Sequence, residues 1–121
     1  MGVKGRSILL VEDDAGIRES VVECLAAEGH AVMAAANGAE GLDWLRAGNR
    51  PDLVVLDLLM PVMNGTEFLE AVRSEPDLGA LPVVLMTAAM PAAAESSATA
   101  GYLTKPFELA DLLAAVERFA R

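Results

Sequence analysis

The sequence predicts an α/β fold: a doubly wound, five-stranded parallel sheet with helices on both faces. Three observations carry this. The runs Ile8-Leu9-Leu10-Val11, Leu53-Val54-Val55-Leu56 and Val83-Val84-Leu85-Met86 are apolar throughout, without the alternation of a half-exposed strand, so they read as strands covered on both faces. Between them, apolar residues recur at helical spacing. Strand and helix alternate along the chain, which implies one parallel sheet with right-handed crossovers.

The first strand, around residues 8–11, ends in Glu12-Asp13-Asp14. A helix then starts near Ala15, with Ile17, Val21 and Cys24 or Leu25 on its inner side and Gly29 as its stop. Ala31-Val32-Met33-Ala34-Ala35 is a weaker second strand, with His30 before it as a solvated turn residue. Asn37 has Glu40 three residues on, the spacing of a helix cap. The helix it opens carries Leu42 and Leu45 inward and closes at Gly48, leaving Trp44 partly exposed. The central strand ends at Asp57, Asn64-Gly65 makes a turn, and Phe68, Leu69 and Val72 mark a third helix. A fourth strand delivers Thr87, and Tyr102-Leu103-Thr104 delivers Lys105. Leu109, Leu112, Leu113, Val116 and Phe119 form the inner stripe of a last helix. Five such strands suit the flavodoxin-like order 2-1-3-4-5, in which strands one and three are neighbours and ligands bind at the carboxyl ends of the strands.

At 121 residues the chain has the size of a single domain, residues 1–121. A net charge of −9, with no basic patch or tail, argues against nucleic acid and anionic membranes as partners. No apolar run approaches a membrane span, and the basic N-terminus lacks the apolar core of an export signal. Cys24 is alone, so it has no internal disulfide partner and reads as a small buried hydrophobe. A reducing cytoplasm is the expected location.

Glu12, Asp13, Asp57, Thr87 and Lys105 each follow a predicted strand of one sheet, more polar chemistry than chance strand ends explain. Two carboxylates ~5 Å apart repel by about 3 kcal/mol at an effective dielectric near 20. Such a cluster needs a cation or a retained proton. Oxygen ligands alone favour Mg²⁺ with some of its waters kept.

The segments Val-Glu-Asp-Asp, Leu-Asp-Leu-Leu-Met-Pro-Val-Met-Asn-Gly, Met-Thr-Ala and Tyr-Leu-Thr-Lys-Pro-Phe, in this order, resemble the receiver domain of bacterial two-component response regulators. The resemblance covers essentially the whole chain. It implies that Asp57 is the phosphoacceptor, receiving a phosphoryl group from a phosphohistidine of a sensor kinase or phosphotransfer domain. It implies Mg²⁺ held by Glu12, Asp13, Asp57 and the backbone carbonyl of Leu59. Thr87 and Lys105 would contact phosphoryl oxygens, and Tyr102 would change position with Thr87 as the switch. The Lys105-Pro106 bond would be cis. The chain would then be a signalling domain rather than an enzyme with a separate substrate, catalysing only its own phosphorylation and dephosphorylation. Its output partner is a protein that the sequence does not name. With Leu59 and Ala89 flanking the path of an attacking water, loss of the phosphoryl group would be slow.

Two other readings compete. A phosphate hydrolase with an aspartyl nucleophile would carry a second Asp two residues after the first, where this chain has Leu59. A pseudo-receiver scaffold, binding partners without phosphorylation, would lack one of the acids, the Asp or the Lys, all of which are present. Adjacent acids leave open whether Asp14 joins the cluster or starts the first helix. Thr87 and Lys105 stand 18 positions apart, about one helical turn less than the usual receiver spacing. The segment between them is rich in Ala and holds no Leu, Ile, Val or Phe. The fourth helix is therefore expected to be short, frayed or absent. Receivers use that helix when they dimerise, so a monomer is expected.

Overall fold

In the computed structural model, which describes residues 5–57, 62–87, 100–104 and 107–120, nine elements follow one another. They are β1 (Ser7–Val11), α1 (Ala15–Ala27), β2 (Ala31–Ala35), α2 (Gly38–Arg46), β3 (Leu53–Asp57), α3 (Gly65–Ser74), β4 (Val83–Thr87), β5 (Gly101–Thr104) and a C-terminal α4 (Leu109–Phe119). The strands form one parallel sheet in the order β2-β1-β3-β4-β5, the order expected from the sequence. Leu59, Lys105 with Pro106, and residues 88–99 lie outside the described residues. So, therefore, does the expectation of a short or absent helix between β4 and β5.

Each central strand is buried on both faces because helices cover both. Leu9, Val11, Val54, Leu56, Val83 and Leu85 face Leu42 and Leu45 of α2 and Phe68, Leu69 and Val72 of α3. The alternate residues Ile8, Leu10, Leu53, Val55, Val84 and Met86 face Val21 and Leu25 of α1 and Leu112 and Val116 of α4. Phe68, with no exposed surface, fills the α2–α3 side; its truncation to alanine would cost about 3–5 kcal/mol. Cys24 packs beside the α1–α4 cluster as a small hydrophobe, and burial pushes its thiol pKa upward, helped by the charge of Glu28.

The helix ends are set locally. Gly29 adopts φ +90°. Its N–H donates to Ala26 O at 3.0 Å, and that of His30 to Leu25 O at 3.1 Å, the paired bonds that close a helix on a left-handed glycine. Asn37 and Asn64 accept from the N–H groups of Glu40 and Glu67, each at 2.9 Å, capping α2 and α3.

Three local readings change. His30 is half-buried, and its Nδ1 accepts the Arg6 N–H at 2.9 Å, so it ties the α1–β2 turn to the start of β1 instead of standing in solvent. Asn64 serves as a helix cap with Gly65 already helical, because its side chain satisfies a first-turn N–H that a simple turn would leave unpaired. Leu109 is 54% exposed and rims a shallow apolar groove with Val21, Cys24, Phe107 and Leu112. As the first helical residue it projects beyond the sheet.

Candidate functional site

β1 and β3 pair in parallel with Val11 opposite Leu56. One step further along that register, Glu12 stands beside Asp57. Both residues share the side-chain parity of the α1–α4 face, and both are buried, at 1% and 5% exposure. Carboxylate oxygens of Glu12, Asp13 and Asp57 lie within 4.8 Å of one another. At that separation each pair of charges repels by on the order of 3 kcal/mol at an effective dielectric of 20. The three acids are therefore a convergent site and not incidental strand ends.

The third adjacent acid does something else. Asp14 is the N-cap of α1, and its Oδ1 accepts the Ile17 N–H at 2.9 Å. Its own N–H donates to Glu12 Oε2 at 3.1 Å. The ambiguity in the acidic triplet thus resolves through the start of the helix. Asp14 satisfies an orphan amide there, and Glu12 and Asp13 turn to Asp57.

The other predicted residues fall as follows. β3 and β4 pair with Asp57 opposite Met86, so Thr87 ends its strand one residue beyond the level of Asp57. Thr87 pairs with Thr104, and Leu85 with Tyr102. Thr87 and Tyr102 are thus diagonal neighbours in the register, both on the α2–α3 face. Tyr102 is partly buried against the core of that face. Leu59 and Lys105 are not among the described residues.

The donor set suits a hard divalent cation. All three convergent groups are carboxylates, the ligands Mg²⁺ prefers. Oxygens already within 4.8 Å of one another could converge on one such ion.

Two features escaped the sequence reading. Arg18, on the first turns of α1, donates through Nη1 to the carbonyl oxygens of Glu12 and Asp13. A cation near a helix N-terminus opposes the helix dipole, and that anomaly was the available signal. Val62, 81% exposed, adopts φ +69°, an outlying conformation for a β-branched residue. Beside it, the Met63 carbonyl accepts the Gly38 N–H at 3.3 Å. A Cβ on Gly38 would lie 2.8 Å from Met63 Cγ, so glycine permits this approach of α2 to the turn that follows β3.

Residues 8–117 match the Response regulator receiver domain family. The response regulator MprA of Mycobacterium sp. strain KMS is 41% identical over 118 residues, covering 94% of this chain and 50% of the relative. The chain thus spans about half the length of the curated relatives it matches. Among solved structures, the chemotaxis protein CheY4 of Vibrio cholerae superposes with a TM-score of 0.83 at 30% identity, over 96% of this chain and 98% of that one. The signal receiver domain of a signal transduction histidine kinase from Syntrophus aciditrophicus gives 0.82 at 29% identity, over 94% and 89%. Among the described residues, no helix is long and apolar enough to cross a membrane.

Proposed function

The chain belongs to the response regulator receiver domain family, and from that premise we propose that Asp57 is its phosphoacceptor in a Mg²⁺-dependent phosphorelay. One observation carries the reading. The Asp57 carboxylate closes the central strand, is 95% buried by its 5% exposure, and has two further carboxylates within 4.8 Å. A carboxylate can act as the nucleophile toward phosphorus itself, as in other aspartyl-phosphate chemistry.

In the reaction, a carboxylate oxygen of Asp57 attacks the phosphorus of a phosphohistidine. The phosphorus–nitrogen bond breaks as the new phosphorus–oxygen bond forms. The imidazole leaves with the bonding electron pair and takes a proton from solvent, and Asp57 becomes an acyl phosphate. Glu12, Asp13 and Asp57 would hold Mg²⁺, with the Leu59 carbonyl proposed as a further ligand from its place in the sequence. When bound, Mg²⁺ supplies positive charge against the phosphoryl oxygens. The protein's share is positioning and charge stabilisation, as in other phosphoryl transfers. Thr87 offers a hydroxyl to one phosphoryl oxygen and Lys105 an ammonium to another. Withdrawal of Thr87 toward the phosphoryl group frees space for its diagonal neighbour Tyr102, and that exchange is the proposed switch. The donor is a sensor kinase or phosphotransfer domain, the output partner is a protein, and the chain turns over no other substrate.

Intact-mass measurement after incubation with Mg²⁺ and acetyl phosphate tests the assignment. One phosphoryl mass is expected on the wild type and none on Asp57→Asn. A phosphoryl gain on the asparagine variant would overturn it. A wild type that stays unmodified would favour a scaffold that works without phosphorylation.

A further inference from the structure

Arg18 bridges the backbone of the acidic loop from the first turns of α1. β1 ends at Val11, and just past it the Glu12 N–H donates to Ala35 O at 3.0 Å. Asp13 is therefore beyond the ladder, and unlike Glu12 and Asp57 it is exposed. Among the described residues, the strand pairing of β1 stops short of it, at Val11.

Arg18 reaches back to this place. Its Nη1 donates to Glu12 O at 2.9 Å and to Asp13 O at 3.2 Å. These carbonyls belong to the two peptide planes on either side of the Asp13 Cα. One nitrogen holding both planes fixes the backbone torsions between them, and with them the direction in which Asp13 projects its side chain. The cost of a cation near a helix N-terminus is offset by charge-assisted bonds to two carbonyls, which are stronger than neutral ones.

We propose that Arg18 is a positioning residue for the metal site, acting through the backbone of Asp13. The inference rests on the reading that Glu12, Asp13 and Asp57 bind Mg²⁺. Its sign sets it apart from a charge effect. Arg18 is a cation close to a cation site. If its charge were all that mattered, its removal would tighten Mg²⁺ binding. If it orders Asp13, its removal weakens binding.

Calorimetric titration of Mg²⁺ into the wild type, Arg18→Met and Arg18→Lys decides between these. The methionine variant is expected to bind about tenfold more weakly, the lower end of what loss of an outer-shell partner costs. Lysine keeps the charge but is shorter and lacks the guanidinium fork, so it is expected to weaken binding as well. Unfolding midpoints in excess chelator report any general loss of stability separately. A double-mutant cycle with Asp13→Asn adds a readout that a merely structural role would not move. Once Arg18 is replaced, loss of the Asp13 carboxylate should cost much less affinity than it does in the wild type. Equal or tighter Mg²⁺ binding in the Arg18 variants, or strict additivity in the cycle, overturns the proposal. A wild type that binds no Mg²⁺ at millimolar concentration overturns both this inference and the metal-dependent function. Weakened Mg²⁺ binding in the variants, with a wild type that binds Mg²⁺ but gains no phosphoryl group, upholds the inference while the function fails.

Discussion

Strand β3 is bracketed by two aspartates that do opposite things. Asp52 precedes the strand, and its Oδ2 accepts the Ser7 N–H at 2.8 Å while its own N–H donates to Ser7 O. That carboxylate extends the sheet by one more pair of bonds and stabilises it. Asp57 ends the strand, buried, among Glu12 and Asp13, where each neighbour's charge opposes it. At the amino edge of the sheet backbone N–H groups meet side-chain acceptors, and the Arg6 N–H repeats the pattern with His30 Nδ1. The carboxyl edge gathers like charges that a bound cation would make favourable. The contrast teaches that the same side chain extends the sheet where it closes a pair of backbone bonds and forms a candidate site where other carboxylates converge on it.

The largest effect that tests this contrast is expected at the carboxyl edge. Glu12→Gln keeps the shape of the side chain and removes one charge of the three. It should weaken Mg²⁺ binding by at least about tenfold, as disruption of a metal's immediate surroundings does, and slow phosphorylation from acetyl phosphate at limiting Mg²⁺. In chelator the same variant should unfold at a higher temperature than the wild type, because two of the three repulsive pairs are gone. A lower midpoint there would mean that the cluster is not strained without metal.

Asp52→Ala is the mirror experiment. It should leave phosphorylation unchanged and lower stability by ~1.5–3 kcal/mol, the range for a bond to a charged acceptor whose partner amide is left behind. Chemical denaturation measures the loss, and a stability change near zero would show that the amino edge is not held as described.

Asp14→Ala sharpens the division within the acidic triplet. Loss of the cap should cost about 0.5–2 kcal/mol, with Mg²⁺ affinity reduced far less than in Glu12→Gln. If calorimetry found the two affinities equally reduced, Asp14 would belong to the metal site.

The smallest effect is expected at Val62. Val62→Gly relieves a left-handed conformation worth ~1–3 kcal/mol, set against ~0.5–1 kcal/mol of added freedom in the unfolded chain. A net gain on the order of 1 kcal/mol is expected from denaturation curves. A loss would show that the exposed valine makes a stabilising contact with its surroundings.

Much of this was legible in the residues themselves. The uninterrupted apolar runs located the three central strands, since only a strand covered on both faces has no use for alternation. Asn37 with Glu40, and Gly29 and Gly48, marked helix ends through their own backbone and side-chain chemistry. The polar residues at the ends of four of the five predicted strands pointed to the working edge, because parallel strands joined by right-handed crossovers bring all their carboxyl ends to one side.

What the sequence could not decide was how elements distant in the chain register against one another. Glu12 and Asp57 are neighbours because Val11 lies opposite Leu56, and no local pattern encodes that offset. The same register separates Glu12 and Asp13 from Asp14, three acids alike in sequence. The sheet holds the first against β3, and the second follows it to the site. The start of α1 takes the third as its cap. His30 read as a free turn residue until the start of β1 supplied the Arg6 N–H. Arg18 takes its role only because the turn before α1 brings the two carbonyls to it. Composition and period fix which residues are strand, helix and edge, because those preferences act over a few neighbouring positions. The site is decided by tertiary packing, because a carboxylate's role depends on whether an amide, a cation or another carboxylate is folded up against it.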